Sequence, residues 1–111
     1  MENIALTEAV YYVLLSLHYP LHGYGIMQKV ESMSNGRVRL AAGTLYGAIG
    51  SMLEKGWIAA VPGEASSRKK EYVITERGKA IVRNEFARLV ELVSNGENVV
   101  GGSNYNEKDN S

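Results

Sequence analysis

One hundred and eleven residues, 45% of them apolar and 22% charged, suffice for one small globular domain that would gain from sharing apolar surface with a partner. Zero cysteines exclude disulfides, thiol catalysis and cysteine metal sites, and no apolar run approaches the roughly 20 residues that span a bilayer. The formal net charge of zero is unevenly spread: Glu97, Glu107, Lys108 and Asp109 leave residues 97–111 at −2, while residues 1–96 carry eleven basic against nine acidic side chains.

An excess of two positive charges does not make a strongly basic domain, so any affinity for nucleic acid must come from local clustering. The N-terminus lacks the basic segment and cleavage pattern of a secretory signal, and a cytoplasmic location is expected.

Leu6 and Thr7 read as a staple residue and an N-cap. Val10, Leu14 and Leu17 follow at helical spacing, widened by Tyr11 and Leu15, until Tyr19-Pro20 ends the helix. So much apolar surface on so short a helix predicts burial on more than one side, partly against another subunit. His22-Gly23-Tyr24-Gly25 opens a second helix, carried by Ile26, Met27, Val30 and Met33 and stopped near Asn35-Gly36. Arg37-Val38-Arg39-Leu40 alternates as a short strand does.

A third helix is predicted from Ala42 to Lys55, stopping at Gly56, with Leu45, Ile49, Met52 and Leu53 as its core residues. Thr44, Gly47 and Ser51, spaced i, i+3 and i+7, fall on one face away from that core. Gly47 and Gly50 weaken a helix intrinsically, which makes sense where something must approach closely. Trp57 to Val61 reads as a strand, Pro62 to Ser67 as a loop and Lys69 to Ile74 as the returning strand of a hairpin. Thr75 caps a last helix in which Val82, Phe86, Leu89 and Val93 keep a 4-3-4 spacing, a seam suited to pairing across a two-fold axis. Past Asn95-Gly96 the chain turns polar, and residues 97–111 are read as a largely disordered tail.

The expected fold class is therefore mostly α with a small β hairpin: a winged helix-turn-helix over residues 4–75, a C-terminal dimerisation helix over 76–96, and a tail over 97–111. The helix with the small exposed face would enter the major groove of duplex DNA. Thr44 and Ser51 would bond to base edges or phosphates and Gly47 would let the helix sit deep. Tyr46 would reach a phosphate or stack under the wing. Arg68, Lys69 and Lys70, the densest basic cluster in the chain, would clamp the backbone, with Lys29, Arg37 and Arg39 widening the positive surface. The exposed face of the reading helix has no Arg, Asn or Gln, so specificity is expected from weak contacts, groove shape and half-site spacing.

Four motifs in order carry a family resemblance. Leu21-His22-Gly23-Tyr24-Gly25-Ile26, Gly43-Thr44-Leu45-Tyr46-Gly47-Ala48-Ile49, Leu53-Glu54-Lys55-Gly56-Trp57-Ile58 and the run from Arg68 to Gly78 closely resemble the PadR family of bacterial transcriptional regulators, over about residues 4–95. The single long C-terminal helix is similar to that of the shorter PadR-like subfamily, which includes phenolic-acid-responsive and multidrug-responsive members. The resemblance implies a homodimeric winged-helix repressor of double-stranded DNA. It carries Thr44, Tyr46 and Gly47 to the recognition helix, Arg68, Lys69 and Lys70 to the wing, and Tyr24 to the edge of the DNA surface. The first and last helices would build the dimer, through Leu6, Tyr11, Leu14, Val82, Phe86, Leu89 and Val93. Many members bind a small aromatic effector near the dimer axis, and Trp57 and Phe86 are the expected lining here.

Other chemistry finds little footing. His18 and His22 are separated by Tyr19-Pro20 and no further histidine exists, so no metal or other cofactor is expected. Gly23-x-Gly25 lacks the rest of a dinucleotide fingerprint, and Ser66 and Ser67 have no positioned base, so no enzyme is expected. The alternative reading is a dimeric small-molecule-sensing or protein-interaction module with weak DNA binding.

Overall fold

A computed structural model describes residues 5–62 and 70–101. The chain begins with α1 (Glu8–Ser16), whose first turn is closed by the Thr7 hydroxyl accepting from the Val10 amide at 3.1 Å. Leu6 ahead of Thr7 packs against the core, as a staple should. A two-residue strand β1 (Leu21–His22) then runs directly into α2 (Gly23–Met33). Helix α3 (Ala42–Glu54) follows, then strands β2 (Ile58–Val61) and β3 (Glu71–Ile74), and finally α4 (Glu76–Val100). The result is the mostly helical fold with a small antiparallel sheet expected of a winged helix.

The sheet order is β1-β3-β2, both pairings antiparallel, with Leu21 opposite Tyr72 and Ile58 opposite Ile74. Here the third strand departs from expectation. Residues 37–40 form no strand, and the free edge of β3 is taken by Leu21–His22 instead. The alternation at 37–40 has another cause: Val38 and Leu40 pack on the core, while Arg37 and Arg39 reach out to Glu8 and Glu31. The turn ahead of them is set by backbone chemistry. Asn35 and Gly36 adopt positive φ angles of 55° and 78°, the Gly36 amide bonds back to the Glu31 carbonyl, and the Ser34 hydroxyl accepts from the Val38 amide at 2.9 Å.

One core joins these elements. Leu14 and Leu17 of the α1 region meet Ile26 and Val30 of α2, Leu45, Ile49 and Met52 of α3, Ile58, Tyr72 and Ile74 of the sheet, and Val82 of α4. Each fully buried aliphatic side chain contributes about 1.5–3 kcal/mol. Leu53, expected in this core, is 38% exposed on the outer side of α3.

Two polar devices lock the sheet to the helices. The Ile74 amide donates to the Leu17 carbonyl at 2.8 Å, tying β3 to the end of α1. The Thr75 hydroxyl donates to the Gly56 carbonyl at 2.6 Å and accepts from the Gly78 amide at 3.0 Å, so the α4 cap is also a bond to the α3–β2 turn. Gly78 is required there: a Cβ at that position would lie 2.1 Å from the Trp57 carbonyl oxygen.

The last helix is longer than expected. It continues through Gly96 to Val100 and ends at Gly101, which has φ 69° and bonds its amide to the Glu97 carbonyl. Residues 97–100 thus belong to the helix and not to the polar tail; residues 102–111 lie outside the described residues. At 1.5 Å per residue, α4 is about 37 Å long. Its last ten residues, 91–100, are all exposed.

Candidate nucleic-acid interface

The outward face of α3 follows from where its apolar residues go. With Leu45, Ile49 and Met52 turned into the core, Thr44, Gly47 and Ser51 come to the surface, joined by Gly43, Tyr46 and Gly50. Among the described residues a Cβ added at Gly43, Gly47 or Gly50 would meet nothing within 4 Å, so their packing does not explain three glycines on this face. The face is smooth and uncharged along most of its length. At its start, Ala41 is the N-cap and offers no side-chain bond, which leaves the first amides of α3 open to an acceptor from outside.

Tyr46 faces the start of α2. Its hydroxyl lies over Gly23 at the start of α2, and the side chain is 52% exposed. Tyr24, in the first turn of α2, is 63% exposed, so the two tyrosines border the seam where α2 and α3 begin. That first turn of α2 is held by His22, whose Nδ1 accepts from the Gly25 amide at 3.2 Å. His18 acts at a different helix end, its Nδ1 lying 3.1 Å from the carbonyls of both Leu14 and Leu15 at the close of α1. The two histidines thus serve two different helix ends. Among the described residues no group of three metal-ligating side chains exists.

On the wing, Lys70 is exposed immediately before β3, while Arg68 and Lys69 lie outside the described residues. The wider basic surface needs correction. Arg37 is paired with Glu8 on α1, and Arg39 with Glu31 on α2 at 3.4 Å, so both are neutralised by close carboxylates. The Arg37 guanidinium holds the Glu8 carboxyl below its ordinary value. Lys29 is exposed on α2 and has no ion-pair partner among the described residues. At the far end of α3, the Lys55 ammonium sits 4.8 Å above the Trp57 ring, a cation–π contact that pins the start of the hairpin.

The residues expected at a dimer contact divide into two groups. Leu14 has no exposed surface and Val82 only 7%, so both are core residues of their own protomer with nothing left to offer a partner. Phe86 and Val93 are 59% and 61% exposed, and Leu6, Tyr11 and Leu89 are half-buried. Val90 and Leu92, also about half exposed, extend the apolar surface of α4 beyond the expected set.

The two residues expected to line an effector site stand apart from the cavity between α1 and α4. Trp57 is buried in the core at 4% exposure. A cavity of about 390 Å³ lies elsewhere, between α1 and α4, lined by Leu6, Glu8, Tyr11, Tyr12, Glu85, Arg88 and Leu89. Neither Trp57 nor Phe86 lines it. At its base the buried Glu85 carboxylate accepts two bonds from Arg88, at 2.9 and 2.6 Å. The Arg88 hydrogen bond holds the Glu85 carboxyl below its ordinary value despite burial, helped by the Leu6 backbone amide. Burial and the nearby Glu85 charge push the Tyr11 hydroxyl up. The i, i+3 spacing of Glu85 and Arg88 was a legible signal for this pair. The bond from Arg37 back to Glu8, twenty-nine residues away, left no local trace.

Comparison with known proteins bears on the fold and the family. The model of the transcriptional regulator PadR-like family matches residues 12–84. Among solved structures, a PadR family transcriptional regulator from Eggerthella lenta is 24% identical, with a TM-score of 0.67 over 82% of this chain and 80% of that one. A PadR family transcription regulator from Clostridium difficile is 22% identical, with a TM-score of 0.63 over 81% and 97% of the two chains. BpsR of Bordetella bronchiseptica, whose DNA binding is regulated by 6-hydroxynicotinic acid, is 19% identical, with a TM-score of 0.64 over 86% of this chain and 67% of that one. No curated protein matches the chain.

Proposed function

Since this chain belongs to the PadR-like family of transcriptional regulators, whose members generally bind DNA as dimers and are not enzymes, we propose that it is a dimeric, sequence-specific repressor of double-stranded DNA. The observation that carries this reading is the exposed face of α3. It is built from glycines that packing among the described residues does not require, and in the sequence α3 is followed by the densest basic cluster of the chain.

In this reading α3 enters the major groove, with Thr44 and Ser51 bonding to base edges or phosphates and Gly47 at closest approach. Tyr46 and Tyr24 sit where the groove wall passes the start of α2. Arg68, Lys69 and Lys70 neutralise phosphates, supplying affinity and salt dependence but little sequence information. Phe86, Leu89 and Val93 of α4, with Leu6 and Tyr11 beside α1, meet their counterparts in a second copy. The last turns of α4 support this, since a helical segment whose residues are all exposed is marginal in water on its own.

The cavity between α1 and α4 favours a sensing function within the same protein. Its apolar and tyrosine walls suit a small aromatic effector that releases DNA. A dimeric sensing or interaction module with weak DNA binding is the competing account.

Selection of bound duplexes from fragmented genomic DNA, followed by titration of the recovered site, separates the two. Saturable binding of one dimer to a two-fold site supports the repressor. Recovery of no preferred sequence supports the module. No helix among the described residues is long and apolar enough to cross a membrane, and the cytoplasm is the proposed location.

A further inference from the structure

Val38 and Leu40 pack the approach to α3 on the core, but the helix start itself has no side-chain cap. Its N-cap, Ala41, makes no side-chain bond, and the turn before it passes through two residues at positive φ. Two ion pairs act on that turn. Arg39 reaches Glu31 on α2, within the same helix-turn-helix, whereas Arg37 crosses to Glu8 in the first turn of α1. Arg37 is therefore a direct polar link between the turn that launches α3 and the helix that packs on α4.

We propose that Arg37 is a positioning residue for DNA recognition: by clasping Glu8 it fixes α3 to α1, so that the two reading helices of a dimer keep one separation. This rests on the reading of α3 as the reading helix and of α1 and α4 as the dimer frame. The physical requirement is geometric. Two recognition helices must reach successive major grooves about 34 Å apart, and a turn free to pivot spreads that separation over many values. The pair is well exposed, with 62% of the Arg37 side chain and 47% of the Glu8 side chain accessible, so it adds little to folding stability. Its effect is on orientation. Glu8 also lines the α1–α4 cavity, so an occupant of that cavity would touch the group that holds Arg37.

The absence of cysteine allows one spin label per protomer through Ser51→Cys on the exposed face of α3. Pulsed electron double resonance on the full-length dimer then reads the distance between the two helices. It would be measured in the otherwise native chain and with Glu8→Ala, Arg37→Ala, and the exchange Glu8→Arg/Arg37→Glu. The expected result is one narrow distribution, broadened or shifted by either alanine change and restored by the exchange.

Affinity for a selected duplex, measured without the label, should fall about five- to tenfold in each alanine variant, a modest coupling between sites. It should fall no further in the double alanine variant and should recover in the exchange.

Three outcomes overturn the proposal: distances unchanged by Glu8→Ala, an exchange that restores neither readout, or labelled copies that do not pair. A fourth is Arg37→Ala weakening binding while Glu8→Ala strengthens it, which would make Arg37 a direct phosphate contact. Failure to find any preferred duplex would sink the repressor reading while leaving the distance test to decide this one.

Discussion

The hydroxyl of Tyr46 on α3 rests against Gly23, the first residue of α2, so closely that a Cβ built at residue 23 would stand 2.1 Å from it. The two helices of the helix-turn-helix are thus in register through an aromatic side chain that is itself half exposed. Gly23→Ala should push Tyr46 outward. The clash involves the far end of a side chain, and alanine favours helix over glycine, so stability should change by less than about 1 kcal/mol. Affinity for a selected duplex should fall severalfold. Gly23→Ala should have no additional effect in a Tyr46→Leu background, as two changes acting on one contact are not additive. Additive losses would show that Tyr46 and Gly23 act separately.

Gly78 presents the opposite case, because the atom in the way is backbone. A Cβ there would meet the Trp57 carbonyl oxygen at 2.1 Å and the Ile74 side chain at 2.7 Å. Gly78→Ala should destabilise the domain by about 1–3 kcal/mol, as overpacking does, or prevent folding altogether. Denaturant unfolding monitored by circular dichroism reads the effect; wild-type stability would mean that α4 does not approach the α3–β2 turn so closely.

Gly47 separates stability from function. Its Cβ position is open, so Gly47→Ala should stabilise α3 by about 0.5–1 kcal/mol, the usual advantage of alanine over glycine in a helix. The same methyl group would occupy the closest point to the groove and should weaken duplex binding by about 1–3 kcal/mol. A rise in melting temperature together with a loss of affinity is the expected signature. Unchanged affinity would remove Gly47 from the interface.

Acid should weaken the α1–α4 contact through Glu85. Its carboxyl is held below the ordinary value of 4.5, chiefly by the Arg88 hydrogen bond. A carboxyl lowered in the folded state stabilises the fold above its unfolded pKa, and that stabilisation disappears as pH falls through the folded pKa. Unfolding of the wild type between neutral pH and the acid side of 4.5 should therefore show a loss that Glu85→Gln lacks. Parallel curves for the two proteins would rule out Glu85 as the source.

Much of this fold could be read from spacing. Thr7 and Thr75 as caps, the stripe of Leu45, Ile49 and Met52, and the hairpin after Gly56 are local patterns with local causes. Gly56 stops α3 at φ 76°, a position suited to glycine. The failures have physical reasons too. Residues 37–40 alternate because two side chains seek the core and two seek carboxylates, which imitates a strand without a partner strand. Leu21–His22 is too short to show a period, and becomes a strand only because β3 offers an edge. Gly96 resembles an end to α4, yet a single glycine costs only about 1 kcal/mol and the helix continues through it. The face of Thr44, Gly47 and Ser51 is visible in the spacing alone. The cavity is not, because Leu6, Tyr12 and Arg88 are brought together only by the packing of α1 on α4.

The central claim, a DNA reader clamped by its wing, is tested most directly by the salt dependence of duplex binding. Wild type and the Arg68→Ala/Lys69→Ala/Lys70→Ala variant would be titrated with the same selected duplex over a range of salt concentrations. Each phosphate contact contributes about 0.9 to the slope of log affinity against log salt, so losing two or three should make the slope shallower by about 2 while weakening binding at every salt. Equal slopes for the two proteins, or wild-type affinity indifferent to salt, would contradict the account.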